Sequence, residues 1–66
     1  MRVQINGEQR DVQSDATIAD LLAHLGLQGR RVAVELNRDV VGADAWPTIR
    51  LRTDDVLEIV HFVGGG

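Results

Sequence analysis

The sequence predicts an α+β fold, a mixed sheet of four to five strands packed on one helix. Three observations carry that prediction. Both ends of the chain alternate apolar and polar residues, the period of a half-buried strand. One segment between them switches to helical spacing. With only 66 residues, a single small core must serve every element.

The first strand is "RVQIN", with Val3 and Ile5 on one side and Arg2 and Gln4 on the other. Asn6-Gly7 follows, a strong hairpin signal because both residues tolerate positive φ. A return strand over residues 8–13 can turn Val12 inward. In "TIADLLAHLG", Ile18, Leu21, Leu22 and Leu25 fall at i, i+3, i+4 and i+7 on one helical face. Thr17 is placed to cap that helix with Asp20 three residues on, and Gly26 to end it in the left-handed region. The expected helix covers roughly residues 17–25. Alternation returns in "RVAVEL", where Val32, Val34 and Leu36 oppose Ala33 and Glu35. Asn37-Arg38-Asp39 makes a turn into a short strand at Val40-Val41, and "GADAWP" has room for a single helical turn or loop. Thr53-Asp54-Asp55 turns the chain into the last strand, "VLEIVHFV".

The order β-β-α-β-β-β, with strands at both ends, is met most economically by one sheet curled over the helix. The first and last strands then pair in parallel at its centre, which is the β-grasp architecture of ubiquitin-like proteins. The expected domain spans residues 1–63, and residues 64–66 form a loose Gly-Gly-Gly tail. The expected core is Val3, Ile5, Ile18, Leu21, Leu22, Leu25, Val34, Leu57 and Ile59.

Composition narrows the function. All seven cations are Arg, scattered among ten acids for a net charge of −3, which argues against nucleic acid as a partner. No apolar run approaches the ~20 residues of a membrane span, and the amino end alternates where a signal peptide would be apolar. A cytoplasmic protein with no membrane partner is the expectation. With no Cys, the chain has neither disulfides nor a thiolate metal site. His24 and His61 lie 37 residues apart and read as surface or core-edge positions rather than metal ligands. Ser14-Asp15 reads as helix entry rather than as a nucleophile, and Trp46 as a plug at the core edge.

Several stretches resemble the ThiS family of ubiquitin-like sulfur carriers: "INGE", "TIADLLAHLGL", "RVAVELN", Trp46 after "VV", and above all the ending "EIVHFVGGG". The resemblance covers essentially the whole chain. Thr53-Asp54-Asp55 departs from the family, which often has Gly between two acids there. Gly42-Ala43 departs too, standing where the family often has Pro-Arg. Asp tolerates left-handed conformations better than most residues, so the first turn can survive.

The resemblance implies a carrier of sulfur for the thiazole moiety of thiamine, acted on by enzymes and not itself catalytic. The carboxyl-terminal Gly66 would be adenylated by an E1-like adenylyltransferase of ThiF type, using ATP. It would then be converted to a thiocarboxylate that gives sulfur to a thiazole synthase of ThiG type. No catalytic residue, metal or bound cofactor is expected in the chain itself. Gly64 and Gly65 would be the tether, slim enough to thread a narrow channel because they lack Cβ. From Val63 to Gly66 the extended reach is ~13 Å at ~3.3 Å per residue. In the absence of Cys, that carboxylate is the plausible place to hold sulfur.

A sheet face supplies the expected docking surface. If Leu57 and Ile59 face the helix, Val60 and Phe62 share the outer face with Glu58, beside Ala33 and Glu35 of the neighbouring strand. Val60, Phe62, Ala33 and Glu58 are the candidate partner-binding patch. Two other readings stay open here: a β-grasp carrier of another sulfur pathway, such as molybdopterin synthesis, and a ubiquitin-like binding module that never uses its tail.

Overall fold

A computed structural model of the chain describes residues 1–28 and 31–62. Five strands form one sheet: β1 (Arg2–Ile5), β2 (Glu8–Asp11), β3 (Val32–Leu36), β4 (Asp39–Val41) and β5 (Val56–His61). Its order is β2-β1-β5-β3-β4. The β1 and β5 strands run parallel, and the other neighbours are antiparallel. The helix α1 (Ile18–His24) connects the two hairpins, and a 3₁₀ turn (Ala43–Ala45) follows β4. This is the expected β-grasp arrangement, with the last strand at the centre of the sheet. The glycine tail, 64–66, lies outside the described residues.

Both hairpins close on left-handed pairs, Asn6-Gly7 (φ 50° and 84°) and Asn37-Arg38 (φ 51° and 76°). Positive φ at both central residues matches the turn to the twist of the strands. Asp54 also stands at φ 71°, so the turn in which the family often has Gly survives with Asp.

At seven residues α1 is too short to persist alone, and its ends show how it is held. The predicted capping box is present: Asp20 N–H donates to Thr17 Oγ1 at 3.1 Å, and Thr17 N–H donates to Asp20 Oδ2 at 3.0 Å. The two remaining free donors of the first turn go to a distant segment. Ile18 N–H donates to the Ile49 carbonyl and Ala19 N–H to the Trp46 carbonyl, each at 3.1 Å. At the other end Gly26 is left-handed (φ 75°). Gly26 N–H donates to Ala23 at 3.1 Å and Leu27 N–H to Leu22 at 2.8 Å, the paired bonds of a Schellman stop.

The core forms where the helix stripe meets the inner sheet face. Val3, Ile5, Ile18, Leu21, Leu22, Val34, Leu57 and Ile59 are buried as expected. Leu25 is not: it is the C-cap, where the chain leaves the helix, and it packs half-buried on the rim. Ala16 and Leu51 are buried without having been assigned to the core. They face each other across the segment that caps the helix, where Leu51 N–H donates to the Ala16 carbonyl at 2.8 Å.

Leu22 is 3% exposed at the centre of this contact. Leu22→Ala should cost ~2–5 kcal/mol in chemical denaturation. A loss below ~1 kcal/mol would mean that the helix does not anchor the sheet.

Candidate functional site

Strand β5 leads to the carboxyl end, and both of its edges are bonded. On the β1 side, Gln4 N–H donates to the Asp55 carbonyl and Asn6 N–H to the Leu57 carbonyl, both at 2.9 Å. There β1 turns away, and the Asn6 side chain replaces it. Its Nδ2 donates to the Ile59 carbonyl at 3.1 Å, and its Oδ1 accepts from Ile59 N–H at 2.7 Å. Asn37 does the same at the start of the strand. Its Oδ1 accepts from Val56 N–H at 2.9 Å, while its own N–H donates to the Val56 carbonyl at 2.8 Å. Asn37 Nδ2 also reaches Asp55 Oδ1 at 3.0 Å. Each hairpin therefore uses its first left-handed Asn twice, to form its turn and to hold β5. On the β3 side pairing runs from Leu57 to His61, and Phe62 N–H still donates to the Arg31 carbonyl at 2.9 Å.

This register fixes the faces. Leu57 and Ile59 point to the helix and are buried, so Val56, Glu58, Val60 and Phe62 point away. Val60 stands opposite Ala33, and Glu58 opposite Glu35. Beyond Glu35, on β4, stands Val40. The candidate patch residues Val60, Phe62, Ala33 and Glu58 are thus brought together on the open face of the sheet. Two neighbours were not predicted with them. Among the described residues the exposed large apolar side chains are Val40 (77%), Val56 (39%), Val60 (55%) and Phe62 (57%), and all four lie on this face. Period two from Val60 reaches Val56 in the sequence, whereas Val40 needs the β3–β4 register.

The remaining candidates lie apart. Trp46 is half-buried against the core, its indole N–H donating to the Val41 carbonyl at 3.1 Å, which is the plug expected of it. Ser14 and Asp15 are exposed before the helix, with Asp15 Oδ1 3.9 Å from Arg50 Nη1. His24 ends the helix and His61 ends β5, both exposed. Among the described residues no three His, Cys, Asp or Glu side chains are grouped to hold a metal. None of the helices there is long and apolar enough to cross a membrane. The tail residues expected to carry sulfur, Gly64, Gly65 and Gly66, lie outside the described residues.

Comparison with known proteins fits this arrangement. The model of the ThiS family matches residues 3–66. The chain belongs to the ThiS family. The sulfur carrier protein ThiS of Bacillus subtilis is 43% identical over 65 residues, covering 97% of this chain and 98% of that protein. The crystal structure of the thiamine biosynthesis protein ThiS from Geobacter metallireducens superposes with a TM-score of 0.84 at 30% identity and covers both chains completely. A thiazole synthase of Magnetococcus marinus is 39% identical over all 66 residues, yet this chain spans only 20% of that protein's length. A ThiS-like stretch therefore also occurs inside a much larger enzyme.

The Asn6 clamp is testable alone. Asn6→Gly keeps the left-handed turn, removes both bonds to Ile59 and should cost ~1–3 kcal/mol, with faster amide exchange at Ile59 than at Val34. Unchanged exchange at Ile59 would show that the side chain does not hold the strand.

Proposed function

We propose that the chain is a sulfur carrier for the thiazole moiety of thiamine, a protein co-substrate in the cytoplasm that does no catalysis itself. One observation carries the reading: end-to-end similarity to a protein named as a sulfur carrier, at 43% identity. The division of labour is a β-grasp body over residues 1–63 and a glycine tail over 64–66.

A carboxylate is a poor electrophile. In the proposed cycle an E1-like adenylyltransferase joins the Gly66 carboxylate to AMP from ATP and releases pyrophosphate. Hydrosulfide then attacks the carbonyl, AMP departs and a proton is lost, leaving a thiocarboxylate. That anion is soft and nucleophilic, suited to passing its sulfur to a thiazole synthase. Both activated forms hydrolyse in water, so the partners must enclose them, and glycines without Cβ suit a narrow channel. The ThiS-like stretch within the Magnetococcus marinus thiazole synthase supports that enzyme class as the recipient. The sheet face around Val60 and Phe62 is the proposed docking surface for the adenylating enzyme, since exposed apolar side chains gathered on one face mark a recognition site.

Intact-mass measurement after incubation with ATP, the cognate adenylyltransferase and a sulfur source should show a gain of about 16 Da as S replaces O. Deleting Gly66 should abolish that gain while changing stability by no more than ~0.5 kcal/mol. Gly65→Val should slow loading through bulk alone, and one residue added beyond Gly66 should block it. An extended protein that supports thiamine synthesis without being trimmed would overturn the carrier reading.

Phe62→Asp addresses docking. With Phe62 57% exposed, the fold should survive within ~0.5 kcal/mol, while affinity for the adenylyltransferase falls. An unfolded variant would place Phe62 in the core.

A further inference from the structure

The open sheet face is not uniformly apolar. Glu35 and Glu58 stand directly opposite each other on β3 and β5, both exposed. Like charges so placed destabilise an antiparallel pair. Five of the other acids have partners: Glu8 pairs with Arg10, Asp11 with Arg2 and Asp15 with Arg50, while Asp20 caps the helix and Asp55 accepts from Asn37 and from the Arg52 backbone. Asp39, Asp44 and Asp54 stand at a strand start, a 3₁₀ turn and a tight turn, facing no acid across a ladder. Among the described residues Glu35 and Glu58 alone face each other, and neither makes an ion pair or a side-chain hydrogen bond there.

Their surroundings turn this cost into a requirement on the partner. Val40 adjoins Glu35 on β4, Val56 and Val60 flank Glu58 along β5, and Phe62 follows. Any surface that covers these apolar side chains also strips water from the two carboxylates among them. A carboxylate desolvated without a counter-charge is strongly unfavourable. Resting on the reading that this face docks the adenylating enzyme, we propose that Glu35 and Glu58 together form the receptor for a basic side chain at the centre of that enzyme's apolar docking surface. Arg suits the position best, because its planar fork can bond two carboxylates at once. The pair makes the face selective: an apolar surface lacking the cation would have to bury two unpaired charges.

The test compares binding of the cognate adenylyltransferase to wild type, Glu35→Gln, Glu58→Gln, the double Gln variant and Phe62→Asp, at low and high salt, with a melting curve for each. Each single Gln variant should melt at or above the wild-type temperature, since it relieves repulsion, yet bind about tenfold more weakly. The double variant should lose most of the salt dependence of wild type. If the double variant binds as wild type does while Phe62→Asp binds weakly, the face docks the enzyme but meets no cation, and this inference alone fails. If Phe62→Asp and the double variant both bind like wild type, docking through this face fails and the inference falls with it. Gln variants that melt lower would mean the carboxylates are already compensated within the chain, which also overturns it.

Discussion

Strand β5 is bonded on both edges, by backbone where its neighbours reach and by asparagine amides where they do not. The last strand in the sequence is thus the middle of the sheet, and neither hairpin joins the other except through it. The two halves of the sheet come from segments far apart in the chain: β1 meets β5 about fifty residues on, at Gln4 and Val56. Contacts of that separation pay loop-closure entropy before they return any stability. Asn6 and Asn37 lessen the difficulty, because the turn that forms each hairpin also presents the groups that receive β5.

Economy of the same kind governs the helix. Two turns cannot bury enough surface to stand alone, so its end donors are taken up by Thr17 and by the carbonyls of Trp46 and Ile49. That arrangement draws the long connection between β4 and β5 across the helix start, where Leu51 and Ala16 complete the core. In a domain of this size each polar end must be satisfied by a segment with another duty, since no residues are spare.

What could be read in the sequence was local or periodic. Asn6-Gly7, the Thr17–Asp20 capping box and the Gly26 stop each declare themselves within a few residues. Alternation in "VLEIVHFV" set the faces of β5 without knowledge of its neighbours. What stayed hidden needed a distant partner. Nothing near Asn6 announces a bond to Ile59, and nothing near Leu51 announces its burial under the helix start. The helical spacing put Leu25 in the core because periodicity does not register where a helix outruns the sheet. Glu35 and Glu58 were both visible on the outer face, but that they meet depends on the β3–β5 register.

Because the two central strands run the same way, the chain enters the sheet at one pole and leaves it at the other. The amino end is fastened at its own pole, where the Met1 ammonium donates to the Val12 carbonyl at 2.8 Å. A peptide joined ahead of Met1 would keep an N–H to donate to Val12, and Val12 N–H would still donate to the Met1 carbonyl, so it would continue the strand on the far side of the body from Phe62. The described body is therefore polarised, with the bonded Met1 at one pole and Phe62 at the other.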